Sequence, residues 1–265
     1  MKEILRVAAL CLTLWPAGLL GACSDAGLPA DDIAAARTAL ARYDWLLAER
    51  LLERYLREAH DVGARWEAWN YLLTALNAGG QETRAELDVL ETMLAEFADD
   101  DARSAEVLHR MGECAERLRR YERAAEAWNM YVGLHGLGAR QQVEGYRRLA
   151  AMQLRLRRFD AGESALRQCL ALPLAARDKI LCMYDLADQS MARERWQDVL
   201  DLCGHIFESR PEESLRGMTG YLLADALEQL GRNEAALKAF EQARGAYPNP
   251  SVIDNRIARL RKKTK

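Results

Sequence analysis

The sequence predicts an all-α array of about six paired helices with a capping helix at its C-terminal end. Three observations carry that prediction. The first is a small residue that returns at intervals of 37 to 39 residues, at Ala36, Gly112, Ala150, Ala187 and Ala224, with Leu73 as the one large member. The second is a pair of columns about twelve and sixteen residues further on. One is small (Ala48, Ala85, Ala124, Gly162, Val199, Ala236) and the other larger and apolar (Leu52, Val89, Trp128, Leu166, Cys203, Phe240). A fixed period of this length marks stacked helical repeats, each too small to bury its own apolar stripe. The third is composition: half of the 265 residues are hydrophobic, 29% are charged and only six are proline, which suits helices throughout.

The chain opens with an apolar stretch outside this pattern. Lys2 and Arg6 flank Glu3, and Val7–Leu20 is apolar apart from Thr13. Small residues then lead to Cys23. This order is that of a secretory signal, too short for an ordinary membrane span. Leu20-Gly21-Ala22-Cys23 resembles the lipobox of bacterial lipoproteins. The resemblance implies cleavage after Ala22 and acylation of Cys23, with palmitate among the acyl chains. Ser24, in that family, accompanies transfer to the outer membrane, the inner membrane being the alternative address. The expected organisation is a signal peptide over 1–22, a tether over 23–30, repeats over 31–250 and a capping helix with a basic tail over 251–265.

The first pair opens with Ile33–Ala41 and continues through Trp45, Ala48, Leu52 and Tyr55. The second holds Trp66, Trp69, Leu72 and Leu76, a Gly79-Gly80 turn, then Ala85, Val89, Met93 and Phe97. Gly112, Leu118, Tyr121, Ala124, Trp128 and Tyr131 define the third, and Tyr146, Ala150, Phe159, Gly162, Leu166 and Cys169 the fourth. The fifth shows Leu186, Ala187, Trp196, Val199, Cys203 and Ile206. The last is the clearest: Leu223-Ala224, a Leu230-Gly231 turn, Ala236-x3-Phe240-x2-Ala243, then Pro248. Small residues in both helices let the backbones approach within about 8–10 Å, and the larger residue one turn on fills the gap. The extra residues beyond a 34-residue period are expected in the second helices or their exit loops, as at Phe97–Asp101 and Pro211–Ser214. Ile253, Ile257 and Leu260 would place one apolar face on the capping helix. By this register Ala124→Trp should be badly tolerated, whereas Ala127→Glu, outside the columns, should cost little.

These pairs resemble the tetratricopeptide repeat, including its A-x3-F run and closing proline. The resemblance implies a right-handed superhelical solenoid whose first helices line a partner-binding groove. Carried onto this chain, the groove positions are Asn70, Tyr71, His109, Arg110, Arg147, Arg148, Arg155, Tyr184, Asp188, Tyr221 and Asp225. Such a groove would be basic in its middle and acidic, with tyrosines, toward the C-terminal end. The Lys/Asn set that clamps a peptide's terminal carboxylate in chaperone cofactors of this family is absent.

Chemistry leaves little trace in the sequence. His60, His109, His135 and His205 have no metal-ligand spacing, and no H-E-x-x-H, C-x-x-C, phosphate loop or G-x-S-x-G elbow occurs. No cofactor, metal or catalytic residue is expected. A formal net charge of −3 with interleaved signs argues against nucleic acid as a partner. Cys169–Cys182 and Cys182–Cys203 are both conceivable bridges between neighbouring helices, while packing as small apolar residues is the favoured role for Cys114, Cys169, Cys182 and Cys203. With its lipobox, the chain is similar to envelope-assembly lipoproteins: the helical-repeat subunit of the β-barrel assembly machine, pilotins of type IV pilus secretins, and adaptors of peptidoglycan enzymes. The implied role is a lipid-anchored, periplasm-facing scaffold that binds a protein or peptide. A binder of small wall fragments is the main rival, and an envelope enzyme would need a catalytic domain for which the repeats leave no room.

Overall fold

The computed structural model describes residues 29–79 and 84–263. The expected signal segment, Cys23 and most of the tether lie outside the described residues, as do Gly80 and the last two residues of the basic tail. The described residues form thirteen α-helices and no strand. They fall into two compact units that divide between Leu72 and Leu73.

The first unit holds α1 (Pro29–Ala41), α2 (Trp45–Glu58) and most of α3 (Val62–Ala78). Helix α1 begins at Pro29 and not at Asp31, since proline's fixed φ suits the first helical position. Ala36 and Ala48 are fully buried where α1 and α2 meet. Asp32, buried on α1, accepts from Arg54 Nε of α2 at 2.6 Å. Arg65 of α3 donates to the backbone oxygens of Leu56 and Ala59, satisfying carbonyls left open at the end of α2.

The second unit continues with α4 (Arg84–Glu96), α5 (Asp101–Arg117), α6 (Tyr121–Val132), α7 (Ala139–Arg155) and α8 (Phe159–Ala171). It ends with α9 (Ala176–Ala192), α10 (Trp196–Glu208), α11 (Glu213–Gln229), α12 (Asn233–Ala243) and α13 (Pro250–Lys263). Each helix packs on the next from α4 to α13, and among the first helices α9 also touches α7 on one side and α11 on the other. Gly112, Ala150, Ala187, Ala224 and Leu73 are all buried, as their column requires. At Gly112 even a methyl group would lie 2.4 Å from the Trp128 ring, so the absence of a Cβ is what lets α5 meet α6.

In the second pair the register differs from expectation. Ala85 and Val89 are only partly buried, and Glu86 and Leu90 point inward instead. The shift spaces Ala48, Glu86 and Ala124 an even 38 residues apart. A carboxylate thus occupies the small-residue column. It is tolerated because Arg117 Nη2 donates to both oxygens, at 3.1 and 2.9 Å, and the Cys114 thiol donates to one at 3.4 Å. A hydrophobicity pattern passes over such a position, because nothing short of the pairing makes it apolar in effect. The extra length is also placed differently. Helices α3, α5, α7, α9 and α11 run 17 residues each, against 11–14 for the even-numbered helices from α2 to α12.

One left-handed residue makes the turn inside each of five pairs: Tyr43, Arg119, Arg157, Glu194 and Gly231. The N–H of the following residue reaches back five positions, as Arg120 does to Ala115 O at 2.8 Å and Arg232 to Leu227 O at 2.9 Å. This is the Schellman closure, which ends a helix and reverses the chain within three residues. Gly231 adopts that conformation at no steric cost, and the four side-chain-bearing residues do so at some cost.

Cys169 on α8 and Cys182 on α9 form a disulfide with Cα atoms 6.4 Å apart, joining consecutive pairs across the loop between them. Of the two conceivable bridges this one forms, and the packing role expected for all four cysteines holds only for Cys114 and Cys203. Both are buried and free, with their thiols pushed up to about 12 mainly by burial. On the same stretch, Glu163 of α8 is buried and gathers Arg167, Arg193 and Arg195 at 2.7–3.1 Å. Hydrogen bonding from Arg195 leads the effects that hold its carboxyl below the ordinary glutamate value. A lowered folded-state pKa means the ionised form stabilises the fold, fully above the unfolded value and lost as pH falls through the folded one. Glu163→Gln is therefore expected to melt below wild type at neutral pH and to converge with it in acid. Parallel melting curves at every pH would remove this role. At the C-terminal end, Ile253, Ile257 and Leu260 of α13 bury against Ala236, Ala239 and Phe240, while Glu228 of α11 takes contacts from Arg256, Arg259 and Lys263.

Candidate functional site

First helices α7 and α9 enclose an open groove of about 870 Å³. Its floor is Val143, Ala150, Ala151 and Leu154, with Leu181 on the opposite wall. The helices can stand close there because Ala150 and Ala187 present no bulk. Arg147 spans the groove, its Nε and Nη2 donating to Asp185 at 2.5 and 3.2 Å. Arg148 turns the other way and donates to Glu116 of α5 at 3.0 Å, its guanidinium standing 5.8 Å from the Trp128 ring centre. Asp178, Asp188, Glu144 and Arg140 complete the charged lining. Asp188 touches solvent, yet the surrounding walls desolvate its carboxyl and raise its pKa, with the Asp185 charge adding to the effect.

A second depression adjoins the first through Glu144 and is lined by His109, Arg110, Glu113, Tyr131 and Gln141. His109 lies between Glu113 and Glu144, 3.7 and 3.6 Å from them, with its ring edge-on to Trp128 and Tyr131. Arg110 pairs with Glu106 one turn back. Among the residues expected in a groove, the structure thus brings together His109, Arg110, Arg147, Arg148 and Asp188. Arg155 is exposed at the end of α7, outside the residues lining the pocket. Tyr184 instead packs on the core clusters around Ile180, Ile206, Val199 and Cys203, where burial, and secondarily the Asp188 charge, push its hydroxyl up to about 12. Tyr221 stacks on Tyr247 at 5.0 Å and meets Phe240 edge-on, and Asp225 pairs with Arg256. These last two fasten the C-terminal cap. Asn70 and Tyr71 belong to the first unit. The Asn70 amide donates to Trp66 O at 2.8 Å, and the Tyr71 hydroxyl donates to Glu67 at 3.1 Å beneath the Arg37 guanidinium.

The groove is not basic in its middle. Three arginines and four carboxylates line it, and two of the arginines are engaged in pairs between neighbouring first helices. Sequence reasoning missed Arg140, Glu144, Asp178, Leu181, Asp185 and Gln189. The signal was available: Arg147 and Asp185 are 38 residues apart, one repeat period, and so stand side by side on adjacent first helices. No group of three or more metal-binding side chains occurs among the described residues.

Residues 221–250 match the tetratricopeptide repeat. They cover the second half of α11, its turn, α12 and the closing Pro248. No curated protein matches the chain at a significant level. Solved structures share its fold. A tetratricopeptide repeat protein from Parabacteroides merdae superposes with a TM-score of 0.55 at 14% identity, over 88% of this chain and 87% of that one. RapI in its apo form gives 0.62 at 10% identity, over 89% of this chain and 71% of its own. PilF of Pseudomonas aeruginosa gives 0.50 at 15% identity, over 87% of this chain and 97% of its own. At such identities the likeness establishes an all-α tetratricopeptide-like fold. That architecture is in general a scaffold for protein–protein interaction.

Proposed function

We propose that the chain is a lipid-anchored adaptor of the bacterial envelope that binds an extended protein segment along its first helices, with the α7–α9 groove at the centre. The groove carries the reading. It combines an apolar floor with Arg140, which makes no hydrogen bond or ion pair among the described residues, and with Leu181, a large apolar side chain turned to solvent. Such a lining suits an extended peptide carrying apolar side chains with charges of both signs between them, an acidic one meeting Arg140. The Cys169–Cys182 disulfide supports a place outside the reducing cytoplasm, and the Leu20–Cys23 motif supports an anchor facing the periplasm from the outer membrane. The lipobox and the repeats together resemble those of envelope-assembly lipoproteins, and a part in secretin, β-barrel or wall-enzyme assembly is the setting that resemblance suggests.

Reversing Arg147 and Arg148 would test the groove poorly, because both hold neighbouring first helices together. Arg140→Glu with Leu181→Asp touches no such pair. In cells, a photoreactive residue introduced within the groove should capture one discrete protein. The double variant should lower that protein's affinity about tenfold or more while leaving thermal melting unchanged, since exposed substitutions cost little. Capture and affinity indifferent to both changes would refute the groove as the binding face. The volume favours one other reading, a pocket for a small wall fragment, because about 300–1,000 Å³ is typical of small-molecule sites. Calorimetric titration of the purified protein with muropeptides decides between the two.

The anchor has its own test. Globomycin should accumulate the uncleaved precursor, and Cys23→Ala should block processing. Mature-sized protein in both experiments removes the anchor from the proposal.

A further inference from the structure

The turn between α1 and α2 exposes more apolar side chain than the turns of the other described pairs, where Phe159 and Leu230 are the exposed large apolar residues, at 43% and 38%. Tyr43 is 76% exposed, Leu46 63% and Leu47 37%, with Trp45 partly exposed beside them. None of the three exposed side chains serves the core, which α2 supplies from Ala48, Leu52, Tyr55 and Leu56. Four other second helices have a described start. At the position of Leu46 they carry Glu122, Asp160, Gln197 and Glu234, all polar. The first pair alone places leucine there.

The turn is also built to hold its apolar side chains out. Tyr43 takes the left-handed conformation that reverses the chain, and its ring meets Trp45 edge-on at 5.6 Å between centroids. Asp44 caps α2 by accepting the Leu47 N–H at 3.1 Å, which leaves the backbone at the tip satisfied. Arg42 is exposed beside the tip, and Arg50 donates to Leu46 O at 3.4 Å. An aromatic pair with two leucines, flanked by Arg42 and Arg50 about the capping Asp44, is a composition that settles at the boundary between lipid head groups and acyl chains.

We infer that the α1–α2 turn, through Tyr43, Trp45, Leu46 and Leu47, seats in the interface of a lipid bilayer and so fixes how the first unit stands on the membrane. The inference rests on the anchored reading for its geometry. From Cys23 to the start of α1 run six residues, which span about 20 Å when extended. Helix α1 has 13 residues and is about 20 Å long. The tether is therefore long enough to let α1 fold back and bring its far end, the apolar tip, to the same lipid surface that would hold Cys23. One acyl-bearing residue gives attachment without orientation, and a second contact one helix length away supplies it.

The test uses the full-length protein purified from cells and reconstituted in vesicles of phosphatidylethanolamine and phosphatidylglycerol whose acyl chains carry bromine near the head group. Bromine quenches tryptophan on contact, and the part lost in Trp45→Phe belongs to Trp45. That part should be clear in wild type. It should fall about tenfold in Tyr43→Ser with Leu46→Ser, given what withdrawing two large apolar side chains from lipid does to partition, while the helical melting curve stays the same. Vesicle-bound protein whose Trp45 is unquenched overturns the inference. So does a Trp45 already shielded in lipid-free protein, whether by a second copy seen in the mass or by the chain's own N-terminal segment. The mass of the purified protein separates this from the anchor. Quenching with unmodified Cys23 sustains the tip and sinks the anchor, whereas acylated Cys23 without quenching sinks the tip alone.

Discussion

Ala127→Glu is expected to cost about 3–5 kcal/mol and to lower the melting temperature sharply, because Ala127 is fully buried on α6. The sequence columns placed this residue outside the core, and by that register the change should have cost little. Helix α6 packs on α5 with one face and on α7 with another. Ala124 and Trp128 mark the column read from the sequence, and Ala127 is a further small residue with no room beside it. A glutamate there would need space for four more heavy atoms, and its carboxylate would lose its water. Ala124→Trp should also destabilise strongly, by about 3 kcal/mol, through overpacking alone. A melting curve for Ala127→Glu within a degree of wild type would show that Ala127 is not enclosed on α6 as described.

Gly217→Ala should cost about 3 kcal/mol despite adding a single methyl group. A Cβ built on Gly217 lies 2.3 Å from the carbonyl carbon and oxygen of Ala246 and 2.6 Å from Tyr247 N. These are backbone atoms in the segment between α12 and α13, so no side chain can rotate out of the way. The segment must move off α11, taking with it the stack of Tyr247 on Tyr221. Gly204→Ala is the matched control, since nothing stands within 4 Å of its Cβ position and alanine favours the helix. Equal stability of the two variants would mean that the α12–α13 segment does not lie against α11.

Much of this was readable because a repeat presents the same residue in the same setting several times. Helix pairs, turn positions and the apolar face of α13 follow from periodicity. What escaped was pairwise. Glu86 occupies an inward column only because Arg117 and Cys114 meet it, and Ala85 next door looked the better candidate. Arg147 and Arg148 read as a basic stripe until Asp185 and Glu116 were found opposite them on neighbouring helices. Tyr184 and Tyr221 are amphipathic, and nothing in their spacing tells a groove tyrosine from one that locks a junction. Charge and polarity are visible in a sequence one residue at a time, whereas their neutralisation is a property of two.

The covalent link from Cys169 to Cys182 changes how such an array comes apart. In a chain of repeats each pair touches only its neighbours, so melting can start at an end and advance as a front from one junction to the next. The bond sits at the α8–α9 junction. A front entering from α13 can peel away α11 and α12 with ordinary ease. At α9 it meets a junction whose two sides stay tethered, because the loosened helix is held beside the intact one at Cys169–Cys182. The C-terminal portion beyond the bond is therefore expected to open more readily than the portion behind it. Helix α7 and its wall of the groove lie behind it, and α9, the other wall, is the element the bond retains.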